Sequence, residues 1–380
     1  MPRIKYPYEF DPKKRRISSV YRRGRLAIYI IGMLFSLVAL LFILSSGLNP
    51  IIKSMAVQFP VPILAYGFLI MLTLTIFNFP LSFYSSYIYE HKFKLSRYTI
   101  PAWLKDYLKG NLISYVISLI AIYFLYIIIA SFSPWWLYAG IMSIIYSAFI
   151  GYLYPVLIVP FLWKTESYRD KKMKSKILNL CRRLGVNEIK NVVVIKESEK
   201  STKPNAVFMG FGNSKKIGLF DNLLNSFTKG EVEAVVGHEL GHYVNRDILR
   251  MLILESILIF PLLFVVDYLV KAFGPIFGIP AISDITSLPL IILTYGILGF
   301  ILMPMTNTYS RHMETKADEF ALQHVRKAVA QVSTEKRLAD MHLADLKPHP
   351  FIEFWLFSHP STMKRIEMAQ RWRNKLKKRN

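Results

Sequence analysis

The sequence predicts a mainly α-helical polytopic membrane protein that also carries a water-exposed α+β segment. Of its 380 residues, 53% are hydrophobic, and the mean hydropathy is +0.32. This hydrophobicity is concentrated in six runs, and a membrane-spanning helix needs about 20 residues. One long polar stretch between the runs contains short apolar segments of the kind that form strands. The six runs are 26–46, 62–85, 111–132, 135–162, 248–270 and 286–308.

The distribution of lysine and arginine predicts the topology. If the N-terminus is inside, the outer loops are 47–61, 133–134 and 271–285, and their only basic residues are Lys53 and Lys271. Basic residues favour the cytoplasmic side, so this asymmetry predicts an even number of spans with both termini cytoplasmic. A seventh, weaker span stays open. The membrane would be the plasma membrane in a prokaryote and the endoplasmic reticulum in a eukaryote.

The composition also excludes some functions. The net charge is +23, but the basic residues flank apolar runs, so anionic lipid headgroups rather than nucleic acid are the expected partner. Cys181 is the single cysteine, which excludes an intrachain disulfide and a cysteine-based zinc site. The basic segment 1–25 is expected to be a disordered or interfacial arm that fixes the orientation.

These features divide the chain into five parts. The long polar part is predicted to contain a helix over about 168–184 and strands at 191–196, 206–209 and 217–220. The parts are a basic arm (1–25), membrane helices 1–4 (26–162), a cytosolic domain with a small sheet (163–247), membrane helices 5–6 (248–308) and a cytosolic C-terminal segment (309–380).

The strongest motif is His-Glu-x-x-His within Gly237–His242. Its helix has a marked start, because Thr228 and Glu231 form a Thr-x-x-Glu capping box. From there to about Val270 the only strong breaker is Pro261, so the helix is predicted to run directly into the fifth span.

The motif predicts the chemistry of a zinc hydrolase. On a helix, His238 and His242 lie on one face, about one turn apart, where both can bind one zinc ion. Glu239 would act as general base toward a water molecule at the metal. A hydrolytic zinc site needs a third protein ligand. Glu314, on the inner extension of the sixth span, is at a matching depth, and Asp318, one turn further, would orient one of the histidines.

Two further features have open interpretations. His359 and Arg365 could stabilise an oxyanion, although a lone histidine is more often structural. Glu255 falls within the fifth span, where an ionisable group is costly and usually faces a protein or water cavity. We therefore expect a water-accessible chamber between the spans.

Together these residues resemble the type I CAAX prenyl endopeptidases, integral-membrane zinc metalloproteases of the gluzincin type. The resemblance covers roughly residues 62 to 370. The segments that carry it are Leu81–Phe93, Asn205-Ala206, Val236–His242, Arg311–Ala321 and Trp355–Arg365.

The resemblance implies a helical barrel around a water-filled chamber, capped by a cytosolic zincin-like α+β metalloprotease domain. It implies one Zn²⁺ per chain and cleavage of peptide bonds C-terminal to a prenylated cysteine. It further implies that Asn205 contacts the substrate backbone, that His359 stabilises the transition state and that Arg365 supports Glu314.

Some features depart from this family. Six spans are counted where seven are usual, and His359-Pro360-Ser361 replaces the usual His-Pro-Pro. Asn245-Arg246-Asp247 is more similar to the HtpX-type membrane proteases, which gives the alternative of a quality-control protease. A non-enzymatic membrane scaffold or transporter is a distant alternative, because a pseudoenzyme would be expected to lose Glu239 or a ligand.

Overall fold

The computed structural model describes residues 6–209 and 215–377, in which six helical segments are long and apolar enough to cross a membrane. These confirm the six predicted spans, and each segment is about as long as its apolar run or longer when the π-helical turns that continue two of the helices (Tyr84–Ile88 and Tyr154–Ile158) are included. The helices are α1 (Pro12–Ser45), α2 (Leu48–Ala56), α3 (Pro62–Phe83), α4 (Tyr89–Lys92), α5 (Ile100–Ser131), α6 (Trp135–Leu153), α7 (Val159–Leu162), α8 (Lys171–Arg183), α9 (Asp221–Ser226), α10 (Lys229–Val244), α11 (Asp247–Phe273), α12 (Leu288–His324), α13 (Ala328–Met341), α14 (Pro350–Leu356) and α15 (Thr362–Lys377).

The spanning helices form a closed ring. Around it, α1 packs on α3, α3 on α5, α5 on α6, α6 on α11, α11 on α12, and α12 again on α1. A cavity of about 760 Å³ lies among α3, α5, α6, α11 and α12, and Glu255 is one of its lining residues. The ring and its cavity confirm the predicted barrel with an internal chamber.

The α+β part contains one four-stranded sheet. Its strands are β1 (Thr165–Ser167), β2 (Asn191–Ile195), β3 (Ala206–Met209) and β4 (Lys216–Phe220), in the order β1-β2-β4-β3. β2 and β4 are parallel, whereas the two outer pairs are antiparallel. Apolar side chains from the central strands pack against α8 and α10 in one hydrophobic core, because each strand directs alternate residues to one face. Because β3 is last in the strand order, it is an edge strand, and it lies beside α10.

The N-terminal arm differs from the prediction. Residues 12–25 are the first turns of α1, whose start is capped by Asp11, so this part of the arm is helical and not disordered. The Arg15 guanidinium donates to the carbonyls of Ala339 (2.7 Å) and Ala344 (2.9 Å) and pairs with Asp340. These contacts fix the arm on the end of α13, because Ala339 lies in the last turn of that helix and Ala344 lies just beyond it.

The prediction that the motif helix runs directly into the fifth span was also wrong. α10 ends at Val244, and α11 begins at Asp247. Between them, Arg246 has a left-handed backbone (φ 56°), which interrupts the helical hydrogen bonding and changes the direction of the chain. The break decides where Asp247 lies relative to His242.

Candidate metal centre

The motif helix α10 is fixed at its start. The Thr228 backbone N–H donates to the Glu231 carboxylate (2.7 Å), and the Thr228 hydroxyl accepts from the Glu231 N–H, so the predicted capping box is present. Glu231 is fully buried and also accepts from Ser333 and pairs with Arg337, both on α13. The cap therefore anchors the start of α10 to α13 as well as pairing the first N–H groups of α10.

Two glycines let α10 approach α12 closely. A Cβ atom added to Gly241 would lie 2.8 Å from the Ala317 Cα, and one added to Gly237 would lie 2.4 Å from a Val325 methyl group. Contacts this short are repulsive, so only glycine permits the present distance between the two backbones. This packing brings Glu314 of α12 to the histidines of α10.

Three side chains converge at this crossing. The Nε2 atoms of His238 and His242 are 3.1 Å apart. Glu314 Oε2 lies 3.3 Å from His238 Nε2, and Glu314 Oε1 lies 3.3 Å from His242 Nε2. One donor atom from each of the three residues lies within 4.8 Å of the others. The two predicted histidines and the predicted third residue are thus brought together.

The donor chemistry of this cluster fits a cation. His238 Nδ1 lies 2.8 Å from Asp318 Oδ1, and His242 Nδ1 lies 2.8 Å from Asp247 Oδ2. If each Nδ1 donates its proton to a carboxylate, each Nε2 presents a lone pair toward the other and toward Glu314. Such an arrangement is repulsive unless a positive ion lies between the donors. Glu314 Oε2 is a buried oxygen with no hydrogen-bond donor among the described residues.

Arg365 holds Asp318, the residue whose carboxylate contacts His238. Arg365 Nε and Nη2 each donate to an Asp318 oxygen (2.6 Å), and Nη2 lies 3.1 Å from Glu335 Oε1. Burial lowers the pKa of Arg365, but the negative charges of Asp318 and Glu335 raise it by more than burial lowers it. The pKa therefore lies above its usual value, and the guanidinium stays charged. Burial raises the pKa of Glu335 to about 7 against the opposing charge of Arg365. The resemblance implied that Arg365 supports Glu314, whereas its hydrogen bonds go to Asp318.

Glu239 and the remaining predicted residues line one cleft of about 540 Å³, which also includes His238 of the three-residue cluster. Burial raises the pKa of Glu239, while the neighbouring histidines lower it. His359 Nε2 lies 3.1 Å from Glu314 Oε1, and its side chain is 60% exposed, so the imidazole is open to the cleft. Asn205 directly precedes edge strand β3, and its backbone carbonyl accepts from Phe220. The cleft can accommodate an extended peptide along β3 with its backbone near Glu239.

Two residues of this site were not assigned from the sequence. Asp247 was noticed only as part of Asn245-Arg246-Asp247, and Glu335 was not singled out. In an unbroken helix, a residue five positions after His242 would not face it, since neighbours on one face are three or four apart. The left-handed Arg246 removes that restriction. Glu335 comes from a separate helix, and no local pattern relates it to the motif.

Solved and curated proteins are similar over nearly the whole chain. The crystal structure of S. mikatae Ste24p superposes with a TM-score of 0.85 at 24% identity and covers 96% of this chain and 90% of that chain. "Uncharacterized metalloprotease YhfN" of Bacillus subtilis is 29% identical over 376 residues (96% of this chain, 87% of the relative). "CAAX prenyl protease 1" of Saccharomyces cerevisiae is 27% identical over 398 residues (94% and 86%). Fold and site together define a multi-pass membrane metalloendopeptidase.

Two family models match adjoining parts of the chain. The model described as "Peptidase family M48" matches residues 167–373, and the model described as "CAAX prenyl protease N-terminal, five membrane helices" matches residues 7–164. The chain belongs to peptidase family M48, as its resemblance to the type I CAAX prenyl endopeptidases predicted. Within 7–164, the described residues form four segments of spanning length and the short α2, one long helix fewer than the description.

Proposed function

We propose that this chain is a zinc-dependent membrane endopeptidase in which His238, His242 and Glu314 bind one zinc ion. The observation that carries the proposal is the convergence of their donor atoms within 4.8 Å, next to the half-buried Glu239. Two imidazoles and one carboxylate are a ligand set of catalytic zinc sites, which keep one coordination position open. Asp318 and Asp247 orient the two imidazoles so that their Nε2 atoms face the ion.

The residues of the cleft have separate roles in hydrolysis. Zinc bound there would polarise the scissile carbonyl and lower the pKa of a coordinated water molecule. Glu239 accepts a proton from the attacking water and then gives it to the leaving amine. His359 donates to the oxyanion of the tetrahedral intermediate, and Arg365 acts through Asp318. Asn205 and β3 hold the substrate backbone extended.

We infer that the substrate is a peptide or protein at the membrane, cleaved C-terminal to a prenylated cysteine. Support comes from the names of the curated relatives and from the ring of membrane helices next to the cleft. The alternative is an HtpX-like protease that cleaves damaged membrane proteins, which the sequence Asn245-Arg246-Asp247 favours. The positive-inside asymmetry supports a cytoplasmic active-site domain and cytoplasmic termini, in the plasma membrane of a prokaryote or the endoplasmic reticulum of a eukaryote.

A matched pair of peptides, together with a membrane segment, tests whether the substrate is prenylated. Purified protein with saturating zinc is given a farnesylated CAAX peptide, the same peptide without the prenyl group, and an unprenylated membrane segment. Cleavage of the farnesylated peptide in preference to the others is expected. Cleavage of the membrane segment without cleavage of the farnesylated peptide would instead support the quality-control alternative.

The role of Glu239 is tested by Glu239→Ala. We expect stoichiometric zinc to be retained, because Glu239 is not one of the three ligands, and turnover to fall by at least about 10²-fold, a typical contribution of a general base. The control is Glu319→Gln, because among the described residues Glu319 pairs only with Lys316 (3.0 Å), on the partly exposed side of α12. Undiminished turnover in Glu239→Ala would refute the assignment.

A further inference from the structure

The active-site cleft contains an arginine that the mechanism above does not use. Among the described residues, two arginines line the cleft, Arg22 from α1 and Arg365 from α15. Arg365 is committed to Asp318 and Glu335. Arg22 is half-buried, and none of the described carboxylates forms an ion pair with it.

The fixed contacts of Arg22 leave part of its guanidinium available. Nε donates to the Leu343 carbonyl (3.0 Å), and Nη2 makes a long contact with the His342 carbonyl (3.5 Å). These contacts hold the side chain at the end of α13. Both are made to neutral acceptors, and the carboxylates of Asp345 and Glu90 act on the guanidinium only at longer range, so a bound anion would stabilise its charge in this partly desolvated position.

Arg22 also lies where two cavities meet. It lines the cleft that contains His238 and Glu239, and it lines a neighbouring groove of about 1090 Å³ between α1 and α12. Arg15, which lines that groove, is already paired with Asp340. An extended peptide with its scissile bond at Glu239 could therefore continue along the cleft and present its end to Arg22.

We propose that Arg22 binds the free C-terminal carboxylate of the peptide substrate. A guanidinium fork matches a carboxylate in geometry and charge, and such charge-assisted pairs are the strong hydrogen bonds of proteins. Binding the chain end would restrict cleavage to a fixed distance from the C-terminus, since each extended residue spans about 3.3–3.6 Å. The proposal rests on the proposed endopeptidase function. It adds an explanation of which peptide bond of the substrate is cleaved.

One nearby charge opposes this role. Asp345 lines the same cleft, and its Oδ1 accepts from the Lys347 backbone N–H (3.0 Å). A substrate carboxylate at Arg22 would be repelled by Asp345. The site is therefore expected to discriminate between a charged and a neutral chain end by a moderate factor, and Asp345→Asn is expected to increase that factor.

The test compares one peptide as its free acid and as its C-terminal carboxamide. For the wild-type protein we expect kcat/KM to be about 10- to 100-fold higher for the acid, equivalent to about 1.4–2.8 kcal/mol. In Arg22→Gln the ratio should fall to about one through loss of activity on the acid alone, and Arg22→Lys should retain part of it. Because each ratio is measured within one variant, it does not depend on the folded fraction.

Arg23→Gln is the matched control, because Arg23 carries the same charge one residue later but is exposed and lines only the groove. It should keep the wild-type ratio. A wild-type ratio in Arg22→Gln would overturn the proposal. So would equal losses on acid and amide, which would indicate a structural role or a lipid headgroup as the ligand of Arg22.

Failure of the proposed function would be recognised separately. If the wild-type protein cleaves neither peptide, binding of the two peptides is measured by equilibrium dialysis. Preferential binding of the acid that is lost in Arg22→Gln supports the carboxylate site independently of hydrolysis. Equal binding of acid and amide to the wild-type protein overturns it.

Discussion

Replacing Asp247 by asparagine is expected to weaken metal binding without removing a metal ligand. Asp247 Oδ2 lies 2.8 Å from His242 Nδ1 and is the acceptor that orients this ring. The asparagine side chain has the same shape and can still accept this proton, but it carries no charge. The substitution therefore isolates the contribution of the carboxylate charge to the basicity of His242 Nε2.

The expected magnitude follows from the contact. The Asp247 side chain is only 6% exposed, so water screens the pair little, and its nearest cation, Arg250, is 3.9 Å away. A hydrogen bond to a charged group contributes about 1.5–3 kcal/mol and a neutral one about 0.5–1.5 kcal/mol. Removing a carboxylate that supports a metal-bound histidine typically lowers metal affinity about 10- to 100-fold. We therefore expect the zinc Kd to increase by about tenfold or more.

The assay is zinc competition with a chelator of known affinity at neutral pH in detergent, followed by peptide turnover at saturating zinc. Turnover should largely recover once the site is filled, because Asp247 does not contact the cleft. Glu319→Gln is again the control, since its carboxylate is remote from both histidines. A zinc Kd for Asp247→Asn within twofold of wild type would refute the reasoning.

Two further predictions concern the packing and the pH dependence. Gly241→Ala places a Cβ 2.8 Å from the Ala317 Cα, so we expect a loss of about 1–3 kcal/mol in stability and weaker zinc binding; unchanged thermal unfolding and zinc affinity would contradict this. Burial lowers the pKa of His342 to about 4 in the folded chain, against about 6.5 unfolded. Because the unfolded chain then takes up the proton first, stability should fall as the pH decreases from about 6.5 to 4, by up to about 3 kcal/mol. In His342→Gln the unfolding temperature should change less over this range, and an identical pH profile would count against the prediction.

The sequence predicted those elements whose signals are local. The strands β2, β3 and β4 were found within a few residues and all six spans were located, because apolar periodicity and run length depend only on neighbouring positions. The helices α1, α5 and α12 nevertheless extend about 11 to 16 residues beyond their apolar runs, where the sequence is more polar. β1 was missed because Thr165–Ser167 is exposed and polar and is a strand only through its pairing with β2. Glu314 could be assigned because the end of a membrane span sets a depth that can be compared with that of the motif.

The errors arose where tertiary contacts override local preferences. Neither Asn245 nor Arg246 is a strong helix breaker, and a left-handed non-glycine residue is unfavourable by roughly 1–2 kcal/mol. The conformation places Asp247 against His242, and this charge-assisted contact offsets the strain. Likewise, the basic arm resembles a solvated segment until the end of α13 supplies carbonyl groups for its arginines.

The break between α10 and α11 also explains how the soluble and membrane parts share one site. His242 is oriented by the first residue of α11, whereas His238 is oriented by Asp318 of α12, which also carries Glu314. Since α11 and α12 are neighbours in the membrane ring, both imidazoles have the required orientation only when these two helices are packed together. The geometry of the candidate metal centre thus depends on the same helix contact that closes this side of the chamber.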